Sequence, residues 1–161
     1  RHRLEHLEMV VPDQARQLAR WEVVASVQPA FDATWGGREG MYAQRLGSSR
    51  AAAMNPYALL AAAGVVLALG SDAPVTPVDP WGAVRAAVDH RSPGSGIGRV
   101  AALAAHTYGG YRAAATADPL AGTLRPGAPA SYALWDGSDP PGCLRTVHRG
   151  RILFEREGAL E

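Results

Sequence analysis

The sequence predicts an α/β fold: three parallel strand–helix units over residues 1–117, then a small antiparallel β unit over residues 118–161. Three observations lead there. Apolar or β-branched runs are followed by helically spaced segments three times. Two of those runs end on groups able to do chemistry, His6 and Asp72. Beyond residue 117 the pattern changes to short β runs separated by Gly/Pro turns. A closed eight-unit barrel takes about 250 residues, so 161 residues provide only the last three units of one and cannot close it alone.

The elements follow in order. Residues 3–11 carry a strand and its exit loop. Pro12 suits a first helical turn and Asp13 adds an early negative charge, after which Ala15, Leu18 and Ala19 recur at helical spacing as far as Trp21. Residues 22–28, with Val23, Val24 and Val27, form a β-branched run stopped by Pro29. Residues 31–40 read as a long loop rich in Gly and aromatics. Helices are expected over 41–46 and 56–63, with Gly64 as a C-terminal cap. A third strand follows at 65–69, then a Pro-rich loop at 74–80. The spacing of Val84, Ala87 and Val88 predicts a helix over 81–90, residues 92–98 a flexible Gly/Ser link, and two Ala-rich helices lie near 100–108 and 110–117. In the tail, strands are expected at 131–135, 144–148 and 151–154.

Composition removes several classes of function. The net charge is +1, which favours neither nucleic acid nor an anionic membrane. Every cationic side chain is Arg, and there is no Lys, so this chain offers no Schiff-base lysine, P-loop lysine or carboxylated-lysine metal bridge. The single cysteine, Cys143, excludes an internal disulfide framework and a cysteine zinc site, and fits a reducing, cytoplasmic setting. The longest apolar stretch, 58–69, is too short to span a bilayer and is broken by Gly64. No signal peptide is visible, and a start on charged residues without Met suggests a fragment or a processed chain.

Two residues stand out for chemistry. On a strand, His2, Leu4 and His6 share one face, and Arg1, Arg3 and Glu5 the other; if Leu4 faces inward, so does His6, at the C-terminal end. Neutral imidazole is a common ligand of zinc-like metals. Alone, His6 reads as a hydrogen-bonding partner for a nearby loop. Asp72, in Gly70-Ser71-Asp72-Ala73-Pro74-Val75, stands at the C-terminal end of the third strand. Alone it reads as an Asx-turn residue. Together, at the C-terminal ends of two strands, they read as metal ligands, with Asp72 also able to accept a proton from an activated water. Glu5 is expected to pair with an Arg, and His2 to lie inward as a hydrogen-bonded core residue. His90, His106 and His148 read as structural or solvated. Phe31 and Trp35 suit either a pocket wall or simple loop packing.

The segments Arg3-Leu4-Glu5-His6, Ser26-Val27-Gln28-Pro29, Gly64 through Val75, Ala105-His106-Thr107 and Gly122-Thr123-Leu124-Arg125-Pro126-Gly127 resemble, in this order, the C-terminal part of the amidohydrolase superfamily. The subgroup containing N-substituted formamide deformylases is the most similar. The resemblance implies a (β/α)₈ TIM barrel with a small β-sandwich domain, residues 118–161 supplying sandwich strands. By the same resemblance His6 matches the metal-binding histidine after strand six. Asp72 matches the aspartate after strand eight, a metal ligand and general base. Gln28 and Pro29 then lie near the substrate pocket after strand seven. The family's His-x-His pair, strand-four bridging ligand and strand-five histidine have no counterpart here. Ala130-Ser131 stands where the family usually has Ala-Asp, and residues 92–100 look shortened.

The expectation is therefore a hydrolase of C–N bonds other than peptide bonds, acting on a small amide, formamide or cyclic amide. It would work through metal-activated water, most simply zinc, with one or two ions in the intact protein. Set against it are an inactive fragment or assembly module, whose open strand edges need a partner segment or self-association, and a metal-free barrel enzyme using Asp72 to abstract a carbon-bound proton. Neither nucleic acid nor membrane is an expected partner.

Overall fold

The computed structural model describes residues 2–158 and divides after Ala115 into two compact units. The first holds a parallel sheet of β1 (Arg3–Glu5), β2 (Val24–Val27) and β3 (Leu67–Leu69), in the order β1-β2-β3. Leu4 is in register with Ala25, and Ala25 with Leu67. All three strands run the same way because each is followed by helix before the next begins.

Helix α1 (Pro12–Arg20) starts as expected. Pro12 occupies its first turn, and Gln14 reaches back so that its Oε1 accepts from the Val11 N–H at 3.0 Å. The chain then turns at Glu22, which has φ 53°, while the Val23 N–H still bonds the Leu18 carbonyl. Glu22 and Val23 therefore close the helix, and the second strand is shorter than its β-branched run.

The expected loop at 31–40 is the main correction. Pro29 does not end the strand into a loop; it begins helix α2 (Pro29–Trp35). Its fixed φ suits a first helical turn, where a missing N–H costs nothing. Helices α3 (Met41–Leu46), α4 (Ser48–Ala52) and α5 (Tyr57–Ala62) follow, then α6 (Pro80–Val88) and α7 (Arg99–Ala104). A π turn at Ala105–Gly109 leads into α8 (Gly110–Ala113). Gly109 lets that turn lie against β3, since a Cβ there would overlap the Leu67 carbonyl.

The core of this unit lies between the sheet and its helices: Val27, Tyr57, Leu60, Ala87 and Ala102 are all at 0% exposure. His2 and Leu4 do not join it. His2 is exposed and Leu4 is 48% exposed, because β1 is an edge strand with β2 as its one sheet neighbour among the described residues. Glu5 pairs with Arg3 at 2.6 Å, as expected. Tyr57 carries a buried hydroxyl without a hydrogen-bond partner among the described residues. Replacing it with Phe removes that desolvation cost and nothing else. Thermal melting of Tyr57→Phe is expected at or above the wild-type midpoint; a clear drop would show that the hydroxyl has a partner.

In the second unit, β4 (Tyr132–Trp135), β5 (Cys143–His148) and β6 (Arg151–Glu155) form an antiparallel sheet in the order β4-β5-β6. Its turns are tied by Asp136, whose Oδ1 accepts the Gly142 N–H at 2.8 Å and whose Oδ2 accepts from Arg156 at 3.0 Å. Ser138 donates to the same carboxylate, and these bonds hold it well below the usual carboxylate range.

Candidate metal centre

Both candidate ligands hang from the same end of β2. The His6 N–H bonds the Ser26 carbonyl at 2.8 Å, and the Gly70 N–H bonds the Val27 carbonyl at 3.0 Å. The strands that carry them flank β2, so their backbones stand about 10 Å apart. The side chains close that gap: His6 Nε2 lies 4.0 Å from Asp72 Oδ2, with both side chains a little under half exposed. The turns that aim them are strained. His6 has φ 70°, Leu7 φ 56° and Asp72 φ 55°, a left-handed conformation costing on the order of 1–3 kcal/mol each. Asp tolerates it best. The Asp72 turn is held by its own carbonyl, which accepts the Val75 N–H at 2.8 Å, and by Ser71, whose Oγ accepts the Ala73 N–H at 3.2 Å. Thr76 Oγ1 donates to the Ser71 carbonyl.

Gln28 and Pro29 sit between these two turns in sequence and structure, at the end of β2 and the start of α2. Gln28 is 6% exposed, and its Oε1 is buried without a partner among the described residues. Pro29 is fully buried.

The donor pair fits a divalent ion in kind and spacing. An imidazole nitrogen and a carboxylate oxygen each bind zinc at about 2.0–2.2 Å, so two donors of one ion stand at most about 4.4 Å apart. The number of donors is short. Among the described residues no group of three or more His, Cys, Asp or Glu side chains could hold a metal, whereas a catalytic zinc takes three protein ligands.

Around His6 the structure gathers Phe31 and Trp35, together with Asp32, which the sequence did not single out. Phe31 stacks on the His6 ring, centroids 5.8 Å apart and planes 22° from parallel. Trp35 meets Phe31 edge-on at 4.7 Å. Asp32, next to Phe31, is 2% exposed, and its Oδ2 lies 3.5 Å from Nδ1 of His90. His90 thus belongs to the structural side of its expectation, with a side chain only 1% exposed. The sequence signal for Asp32 was slight: a carboxylate inside an aromatic run that begins with a proline suitable for starting a helix.

His106 is also structural. It lies in the π turn, its Nε2 is buried without a partner among the described residues, and burial lowers its pKa from 6.5. The unfolded chain therefore binds this proton more readily than the fold does. The contribution is nil well above pH 6.5 and becomes a loss of stability as pH falls through that value. Urea midpoints should drop between pH 7 and pH 5 more steeply for wild type than for His106→Gln; parallel slopes would remove His106 from the account.

The amidohydrolase family profile matches residues 1–154. The Arabidopsis thaliana protein LONG AFTER FAR-RED 3 is 34% identical over 150 residues, which cover 84% of this chain and 25% of that protein. The chain thus spans about a quarter of the length of this relative. An uncharacterized metal-dependent hydrolase from Pyrococcus furiosus superposes with a TM-score of 0.69 at 28% identity, over 80% of this chain and 26% of its own. A zinc-bound adenosine deaminase from Xanthomonas campestris shares the fold, with a TM-score of 0.73 at 19% identity over 95% of this chain and 37% of its own. On the match across nearly its whole length, this chain belongs to the amidohydrolase family.

Proposed function

We propose that this chain forms the last three βα units of a (β/α)₈ barrel, with the second unit contributing strands to a small β-sandwich. In the intact protein it serves a metal-dependent hydrolase of small amides, formamides or cyclic amides, cleaving C–N bonds other than peptide bonds. The N-substituted formamide deformylases are the subgroup we favour. The observation that carries this reading is the 4.0 Å approach of His6 Nε2 to Asp72 Oδ2 from two different strand ends.

His6 and Asp72 would hold the ion, zinc suiting an imidazole–carboxylate pair. A bound divalent ion supplies Lewis acidity toward the substrate carbonyl and lowers the pKa of a water. Asp72 accepts the proton of the attacking water and returns it to the departing nitrogen. Its partial exposure leaves it open to both. Gln28 and Pro29, between the two ligand-bearing turns, lie near the substrate pocket. A single cysteine suits a reducing, cytoplasmic compartment, and no helix among the described residues is long and apolar enough to cross a membrane.

Two donors are too few for tight binding, and this favours a second reading in which the isolated chain is an inactive module awaiting the segment that completes the barrel. Metal analysis of the purified chain separates them. Substoichiometric zinc is expected for the chain alone, and stoichiometric zinc once the remaining ligands are present. Hydrolysis of N-substituted formamides by the completed protein should then vanish with a chelator and return with zinc. Hydrolysis indifferent to chelation would overturn the proposal and favour a metal-free role for Asp72.

A further inference from the structure

We propose that Asp32 and His90 form a buried latch that positions the His6 ring. The latch is built from helix α2 and two loops. Asp32 Oδ2 accepts the Arg91 N–H at 2.7 Å and lies 3.5 Å from His90 Nδ1. His90 Nδ1 accepts the Ser92 N–H at 2.9 Å, and Nε2 lies 3.0 Å from the Asn55 carbonyl. Since Nδ1 accepts and a carbonyl can only accept, the proton of the neutral ring sits on Nε2. Nδ1 and Asp32 Oδ2 are then both acceptors, and the latch is closed through the consecutive Arg91 and Ser92 N–H groups rather than by a bond between the two side chains.

Two arms run from this latch to His6. The first is the helix that bears Asp32: its neighbour Phe31 carries the ring stacked on the imidazole. The second is backbone. Asn55, itself 2% exposed and at φ 52°, donates its N–H to the Glu8 carbonyl at 2.8 Å, two residues beyond His6. One arm sets the plane of the His6 ring and the other secures the strained exit from β1. Burial makes the latch stiff, because a buried carboxylate that loses a partner has no water to turn to. Gly36 completes it: a Cβ there would overlap Asp32 Oδ1 and the Asp32 carbonyl, so only glycine leaves the carboxylate in place.

The catalytic meaning of this latch rests on His6 being a metal ligand, but its test does not. Proton NMR of the full chain without metal reads the ring-current displacement of the His6 Cε1–H by Phe31, with Phe31→Leu setting the zero. Asp32→Ala is expected to lose most of that displacement while the methyl signals of Val27 and Leu60 stay in place. Asp32→Asn, which still offers an oxygen to the Arg91 N–H, is expected to keep most of it. Gly36→Ala, which displaces the carboxylate without removing it, should behave like Asp32→Ala and decides alone if that variant does not fold. A His6 signal at its wild-type position in the folded Asp32→Ala or Gly36→Ala chain would overturn the latch, even if metal binding proved correct. Failure of metal binding would leave the NMR result standing.

Discussion

Asp72→Asn is expected to lower kcat of the zinc-loaded, completed protein by about 10²–10⁴-fold, the usual contribution of a positioned general base. Asparagine preserves the size of the side chain and accepts the left-handed conformation of residue 72 at least as readily as aspartate. The turn should therefore survive, with the Val75 N–H still bonded to the residue 72 carbonyl. What is lost is the group that takes a proton from water, together with the negative charge of one donor to the ion. A melting midpoint close to wild type would locate the defect in chemistry rather than folding. Activity within about tenfold of wild type would mean that another group serves as base.

The second large effect concerns the platform beneath the site. Leu60 is completely buried, and its carbonyl accepts the Val65 N–H at 3.0 Å as the chain turns from α5 toward β3. Leu60→Ala should cost about 2–5 kcal/mol by leaving a cavity that packed neighbours cannot fill. Urea denaturation measures this directly. The contrast with Tyr57→Phe is informative, since both residues are fully buried in one core: one change removes packing, the other only an orphaned hydroxyl. A cost below about 1 kcal/mol for Leu60→Ala would show that the helix layer collapses onto the gap.

The parts of this fold legible in the sequence were those with a local cause. Pro12, Asp13, the capping Gly64 and the β-branched run around Val24 each act on the few residues beside them. The helices and strands they predict lie within a few residues of those observed. Helix α2 was missed because Pro29 can either end a strand or start a helix, and only the packing of Phe31 and Asp32 decides between them. Leu4 and His2 were misjudged for a related reason: alternation tells which side chains share a face, but burial of that face requires a neighbour, and β1 has one only on the β2 side. The site divides the same way. His6 and Asp72 were legible as residues at strand ends. Their approach to 4.0 Å depends on left-handed turns at both positions, which no local pattern announces in His6. Asp32 and His90 are 58 residues apart in sequence, and neither sits in a motif that anticipates the other.

The most direct test of the account is anomalous diffraction at the zinc edge from crystals of the completed, zinc-loaded protein. The account predicts a peak about 2.0–2.2 Å from both His6 Nε2 and an Asp72 carboxylate oxygen. A zinc bound by neither residue, or by one of them with the other turned away from it, would contradict it.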